Sequence, residues 1–236
     1  GGGVSVFSSR TDWPRSSNRI SQQLQVFHDE GTSFIDLTCS NPTQCGLRYP
    51  SENILKVFYN PANMVYKPDP RGLLHAREAV CRYYADRGAS VDPANVFLTS
   101  STSEAYSMLF RLLVDPGEEV YFPKPSYPLF EFLAGLNDIE WKTYPLMYDG
   151  SWSMDRSRFE EALSPLGKAV IIVNPNNPTG SFLDEQDVRF IKHICAKQNS
   201  AVICDEVFLD YALDPQTPIC SLAGTTECLT FVLGGL

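Results

Sequence analysis

The clearest chemical signals in this chain are polar segments that directly follow apolar runs. Residues 174–180 read NPNNPTG after the run AVIIV, and Asp205 follows the run AVIC. Asn177 offers a hydrogen-bond donor and an acceptor, and Pro178 disfavours helical backbone before it. A carboxylate at the end of a buried run is costly unless it is hydrogen-bonded or paired, for example with a protonated heterocyclic nitrogen. Each segment also has a simpler interpretation: a plain turn for the first, and a helix cap or an arginine pair for the second.

A third segment predicts an anion site. Ser101 and Thr102 follow residues 96–100 (VFLTS) and open a stretch with helical spacing. The unbonded amides of a helix start, nearby hydroxyl groups and the positive end of the helix dipole together bind anions such as phosphate. The alternative is an ordinary N-cap with Glu104 in the first turn.

The surrounding pattern predicts an α/β fold with a mostly parallel sheet covered by helices on both faces. Short β-branched runs indicate strands buried on both sides, and they alternate with amphipathic segments. The predicted strands are residues 34–38, 96–100, 118–122, 139–145, 169–173, 201–206 and 230–235, and the predicted helices are 17–29, 72–87, 103–113, 127–135, 155–163 and 184–197. Ligands of such sheets bind beyond the carboxyl ends of the strands, where the three polar segments are expected.

Composition narrows the classes of function. The chain has 236 residues and a net charge of -9, which argues against nucleic acid as a partner. No apolar run approaches the roughly 20 residues of a membrane span, and we expect no signal peptide at the glycine-rich start. The seven cysteines form no CxxC pair, and the three histidines lack metal-ligand spacing. We therefore expect reduced thiols, a cytoplasmic location and no metal site.

The motifs taken together resemble the class I/II aminotransferases, which are fold-type I enzymes that use pyridoxal 5'-phosphate (PLP). The resemblance runs from about Asp36 to Leu236. It is carried by SNPT at 40–43, GLLHAREAVCRYY at 72–84, LTSSTSEA at 98–105, VYFPKPSYPLF at 120–130, NPNNPTG at 174–180 and CDEVF at 204–208. It implies the large domain of the PLP-dependent transferase fold, amino-group transfer between an amino acid and a 2-oxo acid, and a homodimer.

The resemblance also implies roles for residues around the cofactor. Asn177 matches the residue that binds the O3' oxygen of PLP, and Asp205 matches the one that pairs with the pyridine nitrogen. Ser101 and Thr102 match the phosphate-binding turn. Tyr127 matches the aromatic residue that stacks on the ring, for which offset stacking of two π systems is a sufficient physical reason.

The N-terminal part carries fewer implied roles. Ser40 and Asn41 match a segment near the substrate carboxylate. Tyr66 is the candidate for a tyrosine that reaches the phosphate from the partner subunit, although it lies farther from the following helix than is usual. We expect residues 1–50 to belong to a smaller domain and residues 51–236 to form the large PLP-binding domain.

Two departures from the family pattern bear on the chemistry. Phe208 stands where the family has a tyrosine that donates to O3'. After Lys197 the sequence has no lysine or arginine, whereas PLP chemistry needs a lysine amine for the Schiff base. In the family this lysine follows shortly after a strand that matches residues 230–233. We therefore expect the chain to be part of a longer enzyme, cut off just before that lysine.

Three functions stay open on this evidence. The first is a PLP-dependent aminotransferase. The second is another PLP reaction on the same scaffold, such as β-elimination by a C–S lyase or a decarboxylation. The third is a non-catalytic, aminotransferase-like ligand-binding protein, which Phe208 slightly favours.

Overall fold

The computed structural model describes residues 6–13, 16–36, 41–211 and 219–235 of the chain. The chain divides into two units, Gly1–Pro68 and Asp69–Leu236. The first unit contains α1 (Arg19–Asp29), which Asn18 caps by accepting from the Ser21 amide at 2.8 Å, and α2 (Ser51–Phe58). The predicted assignment of residues 1–50 to a smaller domain concerns the whole protein and stays a prediction.

A six-stranded sheet forms the centre of the second unit. Its strands are β1 (Glu119–Lys124), β2 (Glu140–Tyr148), β3 (Trp152–Met154), β4 (Gly167–Val173), β5 (Ala201–Asp205) and β6 (Thr230–Leu233). They lie in the order β3-β2-β1-β4-β5-β6, and all neighbours are parallel except β2 and β3. The predicted mostly parallel sheet is confirmed.

Helices cover both faces of this sheet. They are α4 (Thr102–Leu113), α5 (Leu129–Leu136), α6 (Arg156–Ala162) and α7 (Glu185–Gln198), and a further helix, α3 (Leu74–Ala85), precedes them in the chain. Successive side chains of a strand point to opposite faces. Accordingly Ile171 of β4 packs in a core cluster with α4 and α5, whereas Val170 and Ile172 pack in a second cluster with α6 and α7. Burial on both faces explains why residues 169–173 of β4 are all apolar; Lys168, near the start of the strand, pairs with Glu118 at 3.0 Å.

Short 3-10 turns complete the described elements. They are Ser9–Thr11, Pro42–Gln44, Pro61–Met64 and Pro93–Asn95.

Two predicted strands are not observed. Residues 96–100 form no strand, because no described strand pairs with them. The Leu98 amide donates to the Arg71 carbonyl at 2.9 Å. Of the predicted strand 34–38, residues 34–36 are irregular and residues 37–38 lie outside the described part of the chain. The sequence prediction also missed α2, although its eight residues are amphipathic, and the three-residue β3, which is too short to show a pattern.

Some general properties follow from the described part of the chain. None of its helices combines the length and the hydropathy that crossing a bilayer requires. Its histidine, cysteine and acidic side chains form no group that could hold a metal ion. Its six cysteines are free thiols.

Candidate active site

The carboxyl ends of three neighbouring strands, β1, β4 and β5, bring together two of the three predicted segments, residues 174–180 and Asp205. The third, Ser101 and Thr102, does not follow a strand of this sheet, because residues 96–100 form none. Val173 at the end of β4 lies opposite Asp205 at the end of β5, and the Asn174 amide donates to the Asp205 carbonyl at 2.8 Å. Asn176 Nδ2 donates to the carbonyl of Pro125, just after β1, at 3.3 Å. The turn 174–180, the start of the segment after β1 and Asp205 therefore form one edge of the sheet.

Asp205 is a partly buried carboxylate with one donor on each oxygen. The Tyr106 hydroxyl donates to Oδ2 at 2.9 Å, and the Val207 amide donates to Oδ1 at 3.1 Å. Burial raises the pKa of Asp205 above its ordinary value, and the bonds from Val207 and Tyr106 oppose that rise. Each carboxylate oxygen can accept about two hydrogen bonds, so Asp205 keeps capacity for another donor.

Tyr106 is a site residue that the sequence analysis missed. Its side chain is only 2% exposed and packs against Phe110 and Phe130, with ring centroids 5.9 and 5.2 Å away. Burial, together with the charge of Asp205, raises the pKa of Tyr106 well above its ordinary value, so the hydroxyl stays a donor. The signal available in the sequence was a phenol among the apolar positions of a helix, since a buried hydroxyl needs a partner.

Asn174 differs from the other asparagines of its turn because both the nitrogen and the oxygen of its side-chain amide are hydrogen-bonded within the protein. It is completely buried; Nδ2 donates to the Cys220 carbonyl at 2.7 Å, and Oδ1 accepts from the Leu183 amide at 3.0 Å. Asn174 therefore anchors the turn. Asn177, three residues later, is half-buried, and its predicted role in binding a ligand stays a prediction.

Two buried polar atoms beside this turn have no hydrogen-bond partner among the described residues. Asn176 is 5% exposed; its Nδ2 also donates to Thr179 Oγ1 at 2.7 Å, but its Oδ1 accepts nothing. Ser126 Oγ, on the segment after β1, is the second such atom. Buried polar atoms without a partner are uncommon and cost free energy unless a ligand or water satisfies them.

The start of α4 has the geometry of an N-cap. Ser101 Oγ accepts from the Glu104 amide at 3.1 Å, and the Glu104 carboxylate accepts from the amide and hydroxyl of Ser100 at 2.6 and 2.9 Å. The ordinary alternative foreseen for this segment is thus present. Because the first amides of a helix, here those of Thr102 and Ser103, have no intrahelical acceptor, an anion site at the same place stays a prediction.

The remaining predicted residues are aromatic or lie in the first unit. Tyr127 is exposed and meets Phe130 edge-on, with centroids 6.2 Å apart. Phe208 is half-buried, and its ring packs edge-on against the ring of Tyr211, with centroids 5.9 Å apart. Phe208 has no hydroxyl, whereas the Tyr211 ring that contacts it carries one.

In the first unit, Asn41 is exposed and its Oδ1 accepts from the amide and hydroxyl of Thr43 at 3.0 and 2.6 Å. Tyr66 is 89% exposed. Ser40 lies outside the described residues. The roles predicted for these residues stay predictions.

The family of the chain follows from a match over most of its length. The family model described as aminotransferase class I and II matches residues 37–236. The chain belongs to this family. Its members, and the solved structures of PLP aminotransferases that share the fold, make PLP the implied cofactor.

Individual relatives agree with this assignment. The chain is 28% identical over 218 residues to the glutamate-pyruvate aminotransferase AlaA of Haemophilus influenzae, covering 92% of this chain and 54% of that protein. It is 31% identical over 139 residues to human tyrosine aminotransferase, covering 59% of this chain and 31% of that protein. The chain thus spans about half the length, or less, of the curated relatives it matches.

Solved structures show the same fold. An alanine aminotransferase from Pyrococcus furiosus superposes with a TM-score of 0.80 at 25% identity, covering 92% of this chain and 55% of that one. A single mutant of the aspartate aminotransferase of Thermus thermophilus superposes with a TM-score of 0.83 at 20% identity, covering 98% of this chain and 60% of that one. The expected fold of PLP-dependent transferases is confirmed.

Proposed function

We propose that the protein is a PLP-dependent aminotransferase, which transfers the amino group of an amino acid to a 2-oxo acid. Membership of the family and the aminotransferase names of its relatives support this proposal. The observation that carries it is the carboxylate of Asp205, held by two donors at the end of β5 with capacity for a third.

A protonated ring nitrogen is the partner that suits Asp205. Burial penalises the carboxylate and raises its pKa. A cation at hydrogen-bond distance favours the ionised form and offsets this penalty. When bound, PLP supplies an electron-withdrawing ring that stabilises negative charge on the substrate Cα, and Asp205 would keep the ring nitrogen protonated.

The neighbouring segments fit the other groups of PLP. Asn177 would donate to the O3' oxygen, Ser101 and Thr102 would bind the phosphate at the start of α4, and Tyr127 would stack on the ring. These assignments come from the family motifs.

The unsatisfied atoms near the turn also support a ligand here. Asn176 Oδ1 can only accept, and Ser126 Oγ can donate or accept, so a bound molecule with both donors and acceptors would satisfy them. An amino acid and a phosphorylated cofactor carry groups of both kinds.

The proposal also includes the substrate-binding residues and the oligomeric state. Ser40 and Asn41 would lie near the substrate carboxylate. The protein would act as a homodimer in which Tyr66 of one subunit reaches the phosphate bound by the other. The relatives named for glutamate and pyruvate make that pair the first to test.

Transfer of a labelled amino group tests the proposal. The longest natural form of the protein is incubated with PLP, ¹⁵N-glutamate and pyruvate, then with a panel of other pairs, and the products are analysed by mass spectrometry. The expected result is ¹⁵N in the amino acid formed from the 2-oxo acid. Release of ammonia and pyruvate from an S-substituted cysteine, which carries a leaving group on Cβ, without transfer of the amino group would indicate the β-elimination alternative. PLP binding without turnover of any substrate would indicate a ligand-binding protein.

A further inference from the structure

The hydroxyl of Tyr106 links two elements that are distant in sequence. Tyr106 lies on α4, one turn after Ser101 and Thr102, and bonds the Asp205 carboxylate across 99 positions of the chain. The same helix therefore carries the predicted phosphate residues at its start and a contact to the predicted nitrogen-pairing residue one turn later.

We propose that Tyr106 is a positioning residue: its hydroxyl fixes the orientation of the Asp205 carboxylate that would pair with the cofactor's ring nitrogen. This inference rests on the proposed function. It adds a residue that does not touch the reacting atoms but decides how the acidic partner is presented.

The last side-chain torsion of an aspartate adopts a broad range of angles, so one hydrogen bond does not fix the plane of the carboxylate. The Val207 amide holds Oδ1 from the same stretch of backbone, at 3.1 Å. Alone it would leave the carboxylate plane poorly defined. Tyr106 holds the other oxygen from a different element, and its ring is locked between Phe110 and Phe130. The carboxylate is thus held on both sides.

Of the two donors to Asp205, Tyr106 is the one that a side-chain substitution can remove, because the other is the backbone amide of Val207. Cys204 and Glu206 flank Asp205 along the chain; burial, with a smaller contribution from the charge of Asp205, raises the pKa of both, and Glu206 is itself held by Ser221 and Leu222. The residues opposite on β4 and β6, Val173 and Leu233, are uncharged.

Burial raises the pKa of Asp205, and the bonds from the Val207 amide and the Tyr106 hydroxyl limit that rise. Because the pKa of Tyr106 lies well above its ordinary value, its bond persists over the physiological pH range.

Tyr106→Phe removes the hydroxyl and keeps the ring packing. Loss of one hydrogen bond to a charged acceptor should raise the pKa of Asp205 by about one unit or more. It should also weaken PLP binding by about tenfold. Tyr144→Phe is the matched control, because Tyr144 is equally buried at 2% exposure but donates to a backbone carbonyl, that of Ile171, at 2.8 Å.

The measurement is the pH titration of the Asp205 carboxyl by ¹³C NMR in the PLP-free protein, with Asp205→Asn used for assignment. PLP titration of each variant follows. We expect the Asp205 midpoint to move up in Tyr106→Phe and to stay in Tyr144→Phe. Equal midpoints in the two variants would overturn the proposal.

A second substitution covers the case in which Tyr106→Phe does not fold. Tyr106→3-fluorotyrosine keeps the ring and gives a more acidic, stronger donor, so the Asp205 midpoint should fall; an unchanged midpoint would overturn the proposal. If the parent protein binds no PLP, the proposed function fails. The PLP-free titration still decides whether Tyr106 holds Asp205.

Discussion

Two carboxylates at opposite ends of the sheet show how differently one fold can use the same chemical group. Glu119 begins β1 and is buried, and Asp205 ends β5. Glu119 Oε2 accepts from the Tyr121 hydroxyl at 2.5 Å and from Ser164 Oγ at 2.6 Å, and its Oε1 pairs with Lys142. Within the described part of the chain, Asp205 has two donors and no lysine or arginine beside it.

The electrostatic outcomes are opposite. Burial by itself would raise the pKa of Glu119, but the bonds from Lys142, Ser164 and Tyr121 outweigh it and lower that pKa to about 2. Burial prevails at Asp205, whose pKa is raised. A carboxylate that its own chain satisfies stabilises the fold, whereas one that is penalised and keeps acceptor capacity is suited to a cationic ligand.

The largest expected effect separates these two roles in catalysis. Asp205→Asn should lower the rate of amino-group transfer by on the order of 100-fold, since a neutral amide cannot keep the ring nitrogen protonated. Glu119→Gln should leave the rate of the folded protein within about twofold. Steady-state kinetics of both variants at a temperature where both are folded checks this. A comparable loss in Glu119→Gln would remove the distinction between the two ends of the sheet.

Glu119 should instead matter for the stability of the fold. The folded pKa of Glu119 lies below its ordinary value, so its stabilising contribution is present above about pH 4.5 and is lost as the pH falls towards 2. Glu119→Gln should therefore lower the free energy of unfolding by about 1–3 kcal/mol at pH 7 and by less at pH 3. Urea unfolding at the two pH values measures this. A deficit that is equal at both would contradict the charged cluster.

A smaller contrast lies inside the turn 174–180. Asn174→Ala should destabilise the protein by about 2 kcal/mol, because two partly buried backbone groups lose their bonds to the Asn174 side chain. Asn177→Ala should change stability by less than about 0.5 kcal/mol and weaken PLP binding instead. Thermal unfolding and PLP titration of the two variants form the comparison. The idea of one anchoring and one ligand-facing asparagine fails if Asn177→Ala is the more destabilised variant.

The sequence predicted much of the sheet because its pattern is local. Residues 169–173 of β4 are all apolar and the turn after them is marked by prolines, so both the strand and the loop after it could be predicted from adjacent residues. Residues 96–100 have an equally strand-like composition, but a strand also needs a neighbour to pair with, and composition carries no information about that neighbour.

The missing parts of the site depend on contacts between distant segments. The bond from Tyr106 to Asp205 spans 99 positions of the chain. It forms because α4 packs against β5 in one core cluster. Asn174, Asn176 and Asn177 look alike in the sequence, and only packing assigns Asn174 to Cys220 and Leu183. Glu119 gave no sequence signal, since its partners come from β1, β2 and the segment after α6.

The protonation state of the ring nitrogen tests the central claim about Asp205 most directly. PLP labelled with ¹⁵N at the pyridine nitrogen is bound to the parent protein and to Asp205→Asn, and its chemical shift is recorded between pH 6 and 9. We predict a protonated nitrogen over this whole range in the parent and loss of the proton in Asp205→Asn. The same shift in both proteins would contradict the pairing of Asp205 with the cofactor.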